Sequence, residues 1–258
     1  MRDEMTRELL VERRDSLLVM TLNRPEARNA MTQALAREMA SALDELDGDE
    51  TLRAGILTGA GGNFCSGMDL KAFLRGELPR VEGRGFGALT QRPPRKPLIA
   101  AVEGYALAGG FEMVLACDLI VASRTATFGL PEPKRGLAAT AGGLMRLPRR
   151  IPYHIAMQYI LTGDMLPAET AAPLGLVNIL SEPGAALETA VSLANKILAN
   201  GPLAVMAAKR VVTESRDWPD AEMFDRQAEH TAPVFASEDA KEGARAFAEK
   251  RTPVWKAR

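Results

Sequence analysis

Glu112 and Glu132 are the residues of this sequence best suited to acid–base chemistry. Glu112 lies in "ALAGGFEMVLACDL", an almost wholly apolar run, directly after Gly109, Gly110 and Phe111. An unpaired buried charge is costly, so this carboxylate reaches solvent or a partner, or it serves a site. Glu132 lies between two prolines in "FGLPEPKRG", and Pro133 is expected to hold it in extended backbone. Each has a plainer reading alone: Glu112 as an acid stabilising a helix N-terminus, Glu132 as a solvated loop glutamate. As a pair beside a polarising site they fit general acid–base catalysis, and they would titrate as a unit. The helix dipole would lower the Glu112 pKa, whereas burial and a second carboxylate would raise it.

Two stretches supply the polarising site. "AGILTGAGGNFCSGMDLKAF" and "LIAAVEGYALAGGFEMVLA" each read as a strand, a turn of small residues and a helix start. Small residues let backbone approach a ligand closely, and the first helical turn offers free N–H groups at its positive end. The N–H groups of Met68 and Gly109, aimed at one oxygen, would form an oxyanion hole. "GAGGNF" lacks the third glycine of a dinucleotide fingerprint, and no Lys-Ser/Thr follows to make a P-loop. "NFCSG" is not a nucleophile elbow, so Ser66 is a poor nucleophile candidate. With only His154 and His230 present, a serine triad or a histidine-metal site is hard to build.

The elements that must carry these groups follow from the pattern of the chain. It has 258 residues, a net charge of −1, 47% hydrophobic and 25% charged residues, so bulk charge points to neither nucleic acid nor membrane. Two cysteines, Cys65 and Cys117, make no disulfide framework and read as buried thiols in a reducing compartment. The charged start "MRDEMTRELL" has no apolar h-region, and no apolar run is long enough for a transmembrane helix, so a cytoplasmic protein is expected.

Strands are expected near Glu8 to Arg13 and Leu17 to Leu22, then an amphipathic helix capped by Thr32. Apolar strands follow in "LRAGILTG", "PLIAAVEGYA" and "CDLIVAS", with a short one in "ATFGLPE". From Gly76 to Pro97 the chain reads as irregular, and Lys71 to Pro97 carries seven basic residues against two acidic. That segment is either a solvated surface loop or a mobile flap over an anionic ligand. From Ala185 onward only helices are expected, with Pro202 opening one and Ser237 capping another. Strand–helix alternation followed by helices alone gives an α/β core, 1–195, and a C-terminal helical region, 196–258.

These stretches resemble the enoyl-CoA hydratase/isomerase, or crotonase, superfamily. "NRPEARNAM", "ILTGAGGNFCSGMDL", "KPLIAAVEGYALAGGFEMVLACDLIVAS", "TFGLPEPKRGL", "LTGDMLPAETAAPLGLVN" and "EGARAFAEKRTPVW" occur in family order over nearly the whole chain. The tail resembles a branch that includes carnitinyl-CoA dehydratases. The resemblance implies a spiral of ββα turns, a C-terminal trimerisation region, and a homotrimer or a hexamer built from two trimers. It implies an acyl-CoA thioester held by the N–H groups of Met68 and Gly109. Asp69, Leu70 and Lys71 would line the coenzyme A channel, Arg28 and Ala30 would lie near the adenine, and Phe247 and Lys250 would reach a neighbour's coenzyme A. Glu112 and Glu132 match the two catalytic glutamates of the hydratases, which implies reversible syn hydration of a 2-enoyl-CoA, with a carnitinyl-CoA dehydratase, a Δ3,Δ2-enoyl-CoA isomerase or a non-catalytic acyl-CoA-binding protein as the alternatives. No metal or redox cofactor is needed, and coenzyme A enters as part of the substrate. In place of the Pro-Gly or Pro-Asp pair of many hydratases, this chain has Ala139 and Thr140 in "GLAATAGGL".

Overall fold

The computed structural model describes residues 7–258; most of the charged N-terminal stretch lies outside them. β1 (Leu9–Arg14) and β2 (Leu17–Leu22) form an antiparallel hairpin whose turn places Asp15 at a positive φ of 54°. α1 (Gln33–Gly48) follows, and the Thr32 hydroxyl accepts from the Leu35 N–H as its cap. β3 (Ala54–Gly59) leads to the first small-residue loop and the short α2 (Leu70–Leu74).

The expectation of irregular chain from Gly76 to Pro97 holds apart from two two-residue strands. β4 (Arg80–Val81) and β5 (Gly85–Phe86) form a small hairpin, and Phe86, Ala88, Leu89 and Thr90 are buried. The basic segment is solvated in part and packed in part. Arg84 pairs with Asp44, the Arg95 N–H donates to Asp47, and Lys96 Nζ donates to the carbonyls of Leu46 (2.8 Å) and Asp49 (2.7 Å). Arg84, Arg95 and Lys96 are thus fastened to α1 and the turn after it, whereas Lys71, Arg75, Arg80 and Arg92 are exposed.

β6 (Leu98–Val102), β7 (Tyr105–Leu107) and α3 (Gly109–Ala116) make one ββα turn. β8 (Leu119–Ser123), β9 (Thr127–Gly129) and a 3₁₀ turn (Glu132–Arg135) make the next. α4 (Gly143–Arg146) and α5 (Tyr153–Thr162) follow, the latter ended by Gly163 at a φ of 65°. β10 (Met165–Pro167), α6 (Ala168–Ala171) and β11 (Ile179–Ser181) complete the strand-bearing part.

The strands form a six-stranded sheet, β1-β2-β3-β6-β8-β11, parallel after its first pair, and a three-stranded sheet, β10-β9-β7. From β2 to β8 the large sheet is buried on both faces, which explains its near-continuous apolar runs there, whereas the edge strand β1 is largely exposed. Alternate residues divide between two cores. Leu18, Met20, Leu57 and Ala100 pack on the α1 and α3 side. Leu17, Val19, Ile56, Ile99 and Ala101 pack on the other, against Ala186, Ala190 and Ala194 of α7 (Ala186–Leu198). Alanine at every fourth position lets α7 lie close on the sheet. The 195/196 division falls inside this helix.

α8 (Pro202–Glu214), α9 (Met223–Ala236) and α10 (Glu238–Ala248) follow. Lys209 Nζ donates to Asp118 Oδ2 at 2.6 Å, which fastens α8 to the core. Phe224 (83% exposed), Phe235 (81%) and Phe247 (87%) leave this region with large uncovered apolar side chains.

Candidate active site

Strand pairing brings the proposed site together. Cys65 forms a parallel bridge with Ala106, its N–H donating to Tyr105 O and its carbonyl accepting from the Leu107 N–H. β7 in turn pairs in parallel with β9, Leu107 opposite Gly129. The loop after Cys65, the start of α3 and the 3₁₀ turn after β9 therefore emerge at the same end of three neighbouring segments. Met68, Gly109, Glu112 and Glu132 all line one cavity of about 480 Å³, within the range that suits a small-molecule site.

The approach of the two small-residue loops is close. A Cβ on Gly110 would stand 2.3 Å from the Cys65 carbonyl oxygen, and one on Gly109 would stand 2.3 Å from the Phe86 ring. Gly67 has a φ of 100°, and a Cβ there would lie 3.5 Å from the Gly109 nitrogen. Ala108, at a φ of 50°, turns the chain into α3. Such a conformation is uncommon for a residue with a side chain and often marks a functional site. Neither the Met68 nor the Gly109 N–H has an acceptor among the described residues.

The two carboxyls lie in different settings. Glu112 is buried in the first turn of α3, and its Oε1 accepts from the N–H groups of Ala141 (2.7 Å) and Gly143 (2.9 Å). Burial raises its pKa and outweighs the opposing effects of these bonds and of the Arg146 and Arg80 charges. Glu132 is buried, and its Oε2 has no hydrogen-bond partner among the described residues. Burial, then the charge of Glu112, pushes its pKa up to about 7. The expectation of extended backbone at Glu132 is corrected: it opens a 3₁₀ turn after Pro131, closed by Gly136 at a φ of 66°. The turn's geometry overrides the local bias of Pro133.

Arg28 and Leu70 also line the cavity, and Arg28 lies over the Tyr105 ring at 5.5 Å. Ala30, Asp69 and Lys71 do not line it. The Ala30 carbonyl accepts from Arg24, and Asp69 pairs with Arg24 at 3.0 Å while capping α2. Lys71 is exposed beside that cap. Phe247 and Lys250 lie in the C-terminal region, outside the cavity. Cys65 and Cys117 are both buried, with their thiols pushed up to about 12 and further, so neither is a ready nucleophile.

Sequence reasoning missed Phe86, Arg146 and the clamp on Glu112. Thr140, noted only as a departure, accepts at 2.9 Å from Arg80, a member of the basic segment that also lines the cavity.

The sequence model of the enoyl-CoA hydratase/isomerase family matches residues 12–258. The chain belongs to that family. It is 62% identical to the crystal structure of enoyl-CoA hydratase EchA1 from Mycobacterium marinum, with a TM-score of 0.96 over 97% of this chain and 99% of that one. It is 44% identical to enoyl-CoA hydratase EchA19 of Mycobacterium tuberculosis, over 95% of each chain. It is 40% identical to a carnitinyl-CoA dehydratase of Salmonella typhi, over 98% of this chain and 100% of that one. The fold is accordingly of the crotonase type, a mixed α/β core with a helical C-terminal part.

Proposed function

We propose that the protein is an enoyl-CoA hydratase adding water reversibly, with syn geometry, across the α,β double bond of a 2-enoyl-CoA thioester. The observation that carries this is the unequal pair of carboxyls in one cavity with two unengaged N–H groups. The N–H groups of Met68 and Gly109 hold the thioester oxygen. Glu112, its Oε1 fixed by two N–H groups, takes a proton through Oε2 from the water whose oxygen bonds to Cβ. Electron density moves onto the thioester oxygen, where the two donors stabilise it. Glu132, kept neutral by burial, gives its proton to Cα, and return of a proton from Glu112 to Glu132 closes the cycle.

The reverse direction, dehydration of a 3-hydroxyacyl-CoA, uses the same groups with roles exchanged. The 40% identity to a carnitinyl-CoA dehydratase favours a dehydratase as the second reading. In this reading the core and the region 196–258 form a homotrimer, pairing into a hexamer, and the exposed Phe224, Phe235 and Phe247 support an assembly role. Arg28, Ala30, Asp69, Leu70 and Lys71 then flank the coenzyme A, with Phe247 and Lys250 facing a neighbour's. Two buried free cysteines support a reducing, cytoplasmic setting, with fatty-acyl β-oxidation as the pathway class. No resident metal or redox cofactor enters the reaction.

The test is a panel of 2-enoyl-CoA and 3-hydroxyacyl-CoA thioesters followed by conjugated-enoyl absorbance. Hydration of at least one chain length is expected. Tight acyl-CoA binding without turnover across the panel would leave an acyl-CoA-binding protein instead.

A further inference from the structure

Arg146 ends α4 half-buried, and among the described residues it forms no ion pair with a carboxylate. A guanidinium held this way needs other acceptors. Its Nη2 donates to the Thr90 carbonyl at 2.6 Å and its Nη1 to the Ala141 carbonyl at 3.4 Å. These carbonyls belong to two different segments of the site. The 141–143 turn supplies the two N–H groups that grip Glu112 Oε1. Thr90 closes the loop that follows β5, its hydroxyl accepting from the Phe86 N–H at 3.0 Å, and Phe86 packs where a Gly109 Cβ would stand. One side chain thus joins the wall behind Glu112 to the wall behind Gly109. Gly142, at a φ of 106°, makes room for it: a Cβ there would stand 2.1 Å from Arg146 Nη1.

We propose that Arg146 is a positioning residue for Glu112, holding the 141–143 turn at the depth where its N–H groups meet Oε1 and fixing that turn relative to Gly109. Arg146 touches no reacting atom. It acts by position: it holds the carbonyl of Ala141, the residue whose N–H donates to the carboxylate through the preceding peptide group. The charged groups around Glu112 are Arg146, Arg80 on the β4 strand and Glu132 on the 3₁₀ turn. Those around Arg146 are Glu112, Arg150, Arg216 and the Cys117 thiol. The inference rests on the reading of Glu112 as the base, so its test includes a readout independent of turnover.

That readout is ¹³C NMR titration of carboxyl-labelled glutamate, with the Glu112 signal assigned by its loss in Glu112→Gln. The variants are Arg146→Gln and Arg146→Lys, with folding checked by circular dichroism. In Arg146→Gln the Glu112 midpoint is expected to rise and kcat to fall about tenfold to a hundredfold with KM little changed, as for a misplaced catalytic group. Arg146→Lys keeps the charge but reaches only one carbonyl, so intermediate values of both are expected. A folded Arg146→Gln protein with an unmoved Glu112 midpoint overturns the proposal. If Arg146→Gln does not fold, wild-type midpoint and kcat in Arg146→Lys overturn it instead. Because loss of the Arg146 charge alone raises the Glu112 midpoint, a midpoint raised in Arg146→Gln but of wild-type value in Arg146→Lys overturns the positioning role, whereas one raised in both, with Glu112→Gln still fully active, upholds that role and removes the base reading alone.

Discussion

Glu112 and Glu132 follow paired parallel strands, β7 and β9, and reach the same cavity, yet the segments around them differ in what they offer a carboxyl. The α4 side meets Glu112 with two N–H groups on one oxygen. The 3₁₀ turn leaves Glu132 Oε2 without a partner. Donors to the ionised form favour charge, and burial with an oxygen left without a donor favours the neutral acid. Two copies of one side chain can therefore serve as base and acid at the same pH, because the backbone around them differs.

Removing either carboxyl is expected to have the largest effect. Glu112→Gln and Glu132→Gln should each lower hydration by about 10²–10⁴-fold, the usual contribution of a general acid or base, while isothermal titration shows acyl-CoA affinity near normal. Full activity in either variant would remove that residue from the mechanism. Next come the two adjacent glycines. The Phe86 ring can shift to admit a methyl group, so Gly109→Ala is expected to fold and to lose about a hundredfold in kcat through a displaced oxyanion donor. In Gly110→Ala the obstacle is the Cys65 carbonyl, backbone rather than side chain, so its first effect is a lower Tm, with about 1–3 kcal/mol lost to overpacking. Equal outcomes in the two variants would break the distinction.

A more gradual effect, spread over a range of pH, concerns stability. Glu132 remains protonated in the fold up to about 7, whereas an unfolded chain's glutamate ionises near its ordinary value of 4.5. Between those values the folded state binds more protons, so stability falls as pH rises, by about 3 kcal/mol in all. Urea unfolding across that window should show the decline in the wild type and a flatter profile in Glu132→Gln. A rise in wild-type stability attributable to Glu132 would reverse the assigned direction of its shift.

Much of this was legible locally. The Thr32 cap, the Gly163 helix end and the paired glycines ahead of Glu112 act through residues adjacent in sequence. The split of "PLIAAVEGYA" into β6 and β7 was not. It depends on Gly104, at a φ of 49°, where a Cβ would stand 2.3 Å from the distant Gly62 carbonyl oxygen. The two-residue strands β4 and β5 are too short to leave a periodic signal, and their order comes from burial of Phe86. The Glu112 clamp uses N–H groups from 29 and 31 positions away, which residue type does not reveal. Arg146 was hidden for the same reason, since its partners are carbonyl oxygens. Pro133 gave a local signal that the turn overrode.

The pH dependence of kcat/KM for hydration of a 2-enoyl-CoA tests the unequal pair most directly, since it reports the essential acid and base of the free enzyme. The account predicts a bell whose alkaline limb turns down near the Glu132 value of about 7, with that limb absent from the residual activity of Glu132→Gln and the acid limb absent from that of Glu112→Gln. An alkaline limb unchanged in Glu132→Gln would contradict the assignment of Glu132 as the acid.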